Sequence, residues 1–211
     1  MIIDTTDKPL VFVVDDDAAV RAAIGSLLTA VGLTVESFAS AHEFLDRTPT
    51  DAPGCVILDL RLPGTSGLDV QRELAEHYPS LPIIFISGYG DIPTSVRAMK
   101  AGALEFLPKP FREQDLLDAI TLCLERSRVA RRARAEVAEL HARLVLLTAR
   151  ERQVMTFVIA GWVNKHIASE LRITEVTVKV HRGRVMHKMR AASVPELVRM
   201  AERVGVAAAA P

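Results

Sequence analysis

Five polar residues in the first half of this 211-residue chain stand at the ends of short apolar runs. Asp15 and Asp16 follow residues 10–14 (LVFVV), Asp59 follows residues 55–58 (CVIL), Ser87 follows residues 83–86 (IIFI), and Lys109 comes just after residues 103–107. Singly, each is an ordinary turn residue; gathered on one rim, they make a site. Three crowded carboxylates repel, and one of them takes up a proton unless a cation shares the space. A hard divalent ion meets that need, and Mg²⁺ prefers few carboxylates together with water and a phosphate oxygen. Carboxylates, a hydroxyl and an ammonium around such an ion fit phosphoryl transfer, where the work is charge neutralisation and positioning. One carboxylate must then act as the nucleophile that becomes an acyl phosphate. Asp59 is the natural choice, because it ends a central apolar run and leads into Arg61-Leu62-Pro63-Gly64.

The elements that would hold these residues follow from the same pattern. Residues 10–14 form a continuous apolar run stopped by polar ones, the signature of a parallel strand buried on both faces, and the runs at 55–58, 83–86 and 103–107 repeat the alternation. Residues 33–38 add a fifth, weaker strand. Between the runs, residues 19–30 place Val20, Ile24, Leu27 and Leu28, with Val31 just after them, on one helical face, closed by Gly32. Further helices are expected over 40–48, 66–77, 92–101 and from 112 onward. Strands alternating with helices predict a doubly wound parallel sheet, whose ligands bind beyond the carboxyl ends of the strands.

The motifs then become specific. Residues 14–17 (VDDD), 58–64 (LDLRLPG), 86–91 (ISGYGD) and 109–111 (KPF) make residues 9 to about 124 similar to the receiver domain of the FixJ/NarL response regulators. That resemblance implies a flavodoxin-like five-stranded domain whose Asp59 accepts phosphate from a histidine kinase. It implies that Asp15 and Asp16 hold Mg²⁺ with Asp59 and the Arg61 backbone carbonyl. Ser87 would bond the phosphoryl group, Lys109 would pair with it, and Lys109-Pro110 would be a cis peptide. Phe106 matches the family's aromatic switch position, although an aromatic in a short strand is more often plain core. A phosphoryl group adds close to two negative charges, and Ser87 with loop 88–91 would move toward it while Phe106 fills the vacated space.

Composition divides the chain. Net charge is zero, yet residues 1–124 carry 18 acidic and 9 basic residues, and residues 125–211 carry 8 acidic and 17 basic. An acidic half and a basic half point to two domains with different partners, the basic one a candidate for nucleic acid. Apolar residues make up 49%, enough for a core. No apolar run nears the ~20 residues of a membrane span, and the first eight residues lack a signal-peptide pattern, so a cytoplasmic protein is expected. Cys55 and Cys123 match no metal or redox spacing and read as reduced core residues.

No Pro or Gly interrupts residues 112–147, where Ala, Leu, Arg and Glu dominate, so one long helical linker is expected. A dimerising coiled coil is an alternative weakened by Arg126 in the seam. Beyond it, Thr148 to Glu151 has capping-box spacing, as does Ser193 to Glu196. Helices follow from 149, over 164–171, from 175 to about 190, and from 194, the middle pair joined by the short turn of a helix-turn-helix. In the third, Val178, Val185 and Met189 share one face and Lys179, Val180, Gly183 and His187 the other, with Arg184 at its margin.

Residues 147–154 (LTARERQV), Asn164-Lys165 and residues 173–181 (ITEVTVKVH) resemble the LuxR-type DNA-binding domain, covering about 146–205. The organisation expected is therefore a receiver over 1–124, a linker over 125–146 and an all-α four-helix DNA-binding domain over 147–211. Lys179, Val180, Arg184 and Thr177 would face the major groove, with Lys165, Arg172, Arg182 and Lys188 toward the phosphates. Arg172 stands where the turn often has Gly or Asn, and Gly183 removes one possible base contact. The whole chain is most similar to regulators of the styrene and toluene catabolism type. The resemblance implies a histidine kinase, double-stranded promoter DNA, RNA polymerase and a second copy of the chain as partners, and no enzymatic role. Two rivals remain: an aspartate phosphohydrolase, whose usual second Asp is here Arg61, and a DNA-binding protein whose receiver does not switch.

Overall fold

The computed structural model describes residues 8–48, 52–88 and 92–209; residues 89–91 of the expected switch loop lie outside them. The chain forms two compact units, one ending at Arg131 and the other starting at Arg132.

In the first unit, strands β1 (Leu10–Val14), β2 (Thr34–Phe38), β3 (Gly54–Asp59), β6 (Ile83–Ser87) and β7 (Glu105–Pro108) build one parallel sheet in the order β2-β1-β3-β6-β7. Helices α1 (Ala18–Ala30), α2 (Ala41–Leu45), α3 (Gly67–His77) and α4 (Ile92–Lys100) alternate with them. The pleat sends successive side chains to opposite faces, and both faces are covered. Phe12, Val56, Leu58 and Phe85 pack in one core with Phe44, Val70 and Leu74. Val11, Val13, Ile57 and Ile84 pack in the other with Ile24, Leu28, Leu116 and Ile120. That double burial is why β1, β3 and β6 read as unbroken apolar runs. β2, at the sheet edge and without a buried residue, reads weakly for the same reason.

A short antiparallel hairpin, β4 (Arg61–Leu62) with β5 (Thr65–Ser66), follows β3. The sequence pattern did not suggest it, since strands of two residues carry no periodicity. The expected long helix is continuous as α5 (Glu113–Val145).

The second unit carries α6 (Ala149–Ile159), α7 (Asn164–Leu171), α8 (Glu175–Met189) and α9 (Val194–Arg203). Val154, Val158, Ile167, Val178, Val185, Met189 and Leu197 share its core. Met155 is fully buried there as well, and Phe157 only partly. Thr148 and Glu151 close a reciprocal capping box at α6. At α9 the expected box is half formed: Ser193 accepts from the Glu196 backbone N–H, but the Glu196 carboxylate takes the Ala192 N–H instead. Arg172 and Arg190 end α7 and α8 in left-handed conformations, φ 52° and 55°.

Candidate functional site: a carboxylate cluster and a basic recognition helix

The sheet order reverses between β1 and β3, the place where open α/β sheets bind ligands. Asp15 and Asp16 leave β1 there and Asp59 ends β3 beside them. Each of the three offers an oxygen within 4.8 Å of the others; Asp15 and Asp59 are buried and Asp16 is exposed. The third residue of the acidic run plays a different part, since Asp17 caps α1 by accepting from the Ala19 and Val20 N–H groups. Asp15 is further fixed by the Asp17 N–H on Oδ1, and Asp59 by the Arg61 N–H on Oδ1, both at 2.9 Å.

Lys109 completes the cluster. Its Nζ donates to Asp15 Oδ2 and to Asp59 Oδ2, each at 2.6 Å. Burial raises the Asp15 pKa against the opposing pull of Lys109. The Lys109 ammonium loses by burial but gains more from its two carboxylates, so its pKa is raised. Lys109-Pro110 is cis, and the Lys109 N–H donates to the Ser87 carbonyl at 2.8 Å. Ser87 itself is buried at the end of β6. Three carboxylates, Asp16 among them exposed, form an all-oxygen donor set, which suits a hard divalent cation. The residues therefore fit Mg²⁺.

Phe106 sits half-buried on β7, its ring 6.4 Å from that of Phe85. One supporting residue is not apparent from the sequence. A Cβ on Gly67 would lie 2.7 Å from the Asp59 carbonyl oxygen and 2.9 Å from the Phe85 ring, so only glycine lets α3 start against the end of β3. Its signal, a glycine opening a helix just after a turn, is too common to single it out. Cys55 and Cys123 are free and buried, and the Cys123 hydrogen bond together with burial pushes the Cys55 thiol well above its ordinary pKa.

In the second unit, Lys165, Lys179, Val180 and Arg184 are exposed, and Thr177 is half-buried. The Thr177 hydroxyl pairs with that of Thr174, the α8 cap, at 2.8 Å. Arg182 donates to Asn164 Oδ1 at 3.1 Å, which ties α8 to the start of α7. Lys188 departs from the phosphate-facing set expected for it. Its Nζ donates to the buried Glu151 Oε2 at 2.6 Å and to the Leu146 carbonyl at 3.0 Å, so the ammonium is committed inside the domain. With Lys188 as the chief cause, the Glu151 pKa falls to about 2. Among the described residues, no helix is long and apolar enough to cross a membrane.

Comparison with known proteins assigns both units to known families. Residues 11–121 match the family described as response regulator receiver domain, and residues 145–201 match bacterial regulatory proteins of the luxR family. Nodulation protein W of Bradyrhizobium diazoefficiens is 50% identical over 97% of this chain and 90% of its own length. Response regulator protein TodT of Pseudomonas putida is 49% identical over 92% of this chain and 86% of its own. The structure of the response regulator StyR matches with a TM-score of 0.82 at 48% identity, over 93% of this chain and 99% of that one. Full-length FixJ from B. japonicum matches at 0.55 and 39% identity, over 94% and 98%. The expected likeness to the styrene and toluene type is among these relatives, beside an equal likeness to the nodulation protein. A receiver domain followed by a LuxR-type DNA-binding domain places this chain in the response-regulator family of two-component transcription regulators.

Proposed function

We propose that Asp59 takes a phosphoryl group from the phosphohistidine of a sensor kinase, and that this event controls promoter binding by the basic unit. The observation that carries the reading is Lys109, whose ammonium bridges Asp15 and Asp59 at 2.6 Å inside the three-carboxylate cluster. In the transfer, an Asp59 carboxylate oxygen forms the new P–O bond as the P–N bond breaks, and the imidazole leaves with the electron pair. Asp15, Asp16, Asp59 and the Arg61 carbonyl would hold Mg²⁺, which supplies charge neutralisation at the phosphoryl oxygens. Lys109 and the Ser87 hydroxyl would bond those oxygens once Asp59 carries them.

The functional division proposed is a receiver over 1–124, a helical linker over 125–146 and a DNA-binding domain over 147–211. Phosphorylated copies pair in the cytoplasm, occupy two half-sites and present themselves to RNA polymerase. Lys179, Val180 and Arg184 reach base edges, Thr177 stays at the groove-facing start of the helix, and Lys165 and Arg182 sit nearer the backbone. A phosphodonor such as acetyl phosphate with Mg²⁺ is expected to label the full chain stoichiometrically and to strengthen its retention on promoter DNA. Asp59→Asn should abolish labelling and leave the fold intact. Persistent labelling would move the acceptor elsewhere; labelling without any change in DNA binding would favour a receiver that does not switch. Turnover of a phosphate ester is expected to be absent. Phe106→Ala should be labelled normally yet lose the gain in DNA binding, and full activation of that variant would remove Phe106 from the switch.

A further inference from the structure

The outermost line of α8 carries two valines and a glycine that a water-facing helix has no reason to carry. At about 100° per residue, Val176, Val180 and His187 fall within roughly 20° of the direction opposite buried Val178, and Gly183 within roughly 40°. Val176 is 74% exposed and Val180 47% exposed. Neither belongs to the core of the second unit. Both are β-branched, and Gly183 follows them in the helix interior; all three are poorer helix formers than the Ala, Lys or Glu that a solvated ridge favours. Lys179 and Arg184, both exposed, flank the line on either side. A Cβ built on Gly183 meets nothing within 4 Å, so no described residue uses the gap.

A low apolar ridge between two cations fits a surface that is anionic at its walls and has isolated apolar groups on its floor. The major groove is such a surface, and its apolar group is the C5 methyl of thymine. The first turn of a recognition helix is the part that meets base edges, and Val176 lies in the first turn of α8, next after Glu175. Resting on the DNA-binding reading above, we infer that Val176 is a specificity-determining residue that packs, with Val180, on thymine methyl groups. Gly183 keeps the ridge low enough for the two valines to reach the groove floor, while Lys179 and Arg184 engage the acceptors and phosphates beside it.

The test uses the full chain after treatment with acetyl phosphate and Mg²⁺. Sites are selected from duplexes with a randomised core, then each selected site is remade with 2′-deoxyuridine in place of thymine, which removes only the methyl. Loss of a contacted methyl should weaken binding about fourfold, the effect of one buried carbon group. For Val176→Ala, thymine and deoxyuridine should become equal at one position per half-site, whereas Lys179→Ala should weaken both duplexes and leave their ratio unchanged. Val176 is exposed, so its truncation leaves the unit folded, checked by the Trp162 emission spectrum. Equal binding of thymine and deoxyuridine sites by the wild-type chain would overturn the inference alone, as would undiminished discrimination by Val176→Ala. Retention of no duplex at all would overturn the DNA-binding reading and this one with it.

Discussion

Replacing Lys188 by Met should destabilise the second unit by about 2–3 kcal/mol without touching its DNA contacts. Glu151 is 1% exposed, and its carboxylate accepts from Lys188 Nζ at 2.6 Å and from the Thr148 N–H at 2.9 Å. Its pKa falls from 4.5 to about 2, chiefly through Lys188. At about 1.4 kcal/mol per pH unit this amounts to roughly 3 kcal/mol in favour of the charged form. Met keeps the packing of the stem and removes the charge, leaving a buried carboxylate with the capping bonds alone. The chain has one tryptophan, Trp162, whose ring lies 4.8 Å from Phe157 within the same unit, so its fluorescence reports this unit selectively. With a urea slope of about 1 kcal/mol per molar for a unit of this size, the midpoint should fall by roughly 2 M. The sign with pH follows from a depressed acid. The stabilisation is complete above the unfolded pKa near 4.5 and is lost as pH falls through about 2. Wild type should therefore lose about 3 kcal/mol from this group between pH 5 and pH 2, and Glu151→Gln should lose none of it. A midpoint shift below about 0.5 M would refute the reasoning on the same slope. So would a fall of about 0.9 in the slope of log affinity against log salt for Lys188→Met, the mark of a lost phosphate contact.

Two backbone substitutions test the same unit. Arg172→Gly relieves a left-handed residue at φ 52° and should raise the Trp162 urea midpoint by an amount worth about 1 kcal/mol, the left-handed penalty less the freedom glycine adds to the unfolded chain; an unchanged midpoint would mean that Arg172 makes compensating contacts. Gly183→Ala has open space around the new methyl and should stabilise α8 by about 0.5–1 kcal/mol while weakening specific DNA binding; a variant that is both more stable and binds as well would show that the ridge height does not matter.

What the sequence discloses and what it hides follow from the range of the interactions involved. Buried parallel strands announce themselves because both faces are apolar, and the polar residue that stops each run is the one the sheet delivers to its rim. Asp15, Asp16, Asp59, Ser87 and Lys109 are legible for that reason. The division of labour inside the acidic run is not, since Asp17 differs from its neighbours only in where the chain turns into α1. Caps at Thr148 and Ser193 are legible because the partners are three residues away. Lys188 is not, because its partner lies 37 residues earlier, and charge alone reads as exposure. Gly67 is hidden likewise, as its meaning depends on the Asp59 carbonyl and the Phe85 ring.

The Lys109 bridge constrains how the proposed phosphorylation can be transmitted. With Nζ shared between Asp15 and Asp59, a phosphoryl group on Asp59 replaces one carboxylate charge by nearly two and draws the ammonium outward. Lys109 cannot follow freely, because its backbone N–H is bonded to the Ser87 carbonyl and Ser87 pairs with Pro108 across β6 and β7. The ends of those two strands therefore respond as one piece. Phe106, on β7 and opposite Phe85, is the large apolar side chain on that piece that is neither fully buried nor fully exposed. A half-buried ring loses little by moving, whereas Phe85, fully buried, would forfeit its packing. The displacement thus has one inexpensive outlet, which is the physical reason to look for the switch at Phe106 rather than at the equally aromatic residue beside it.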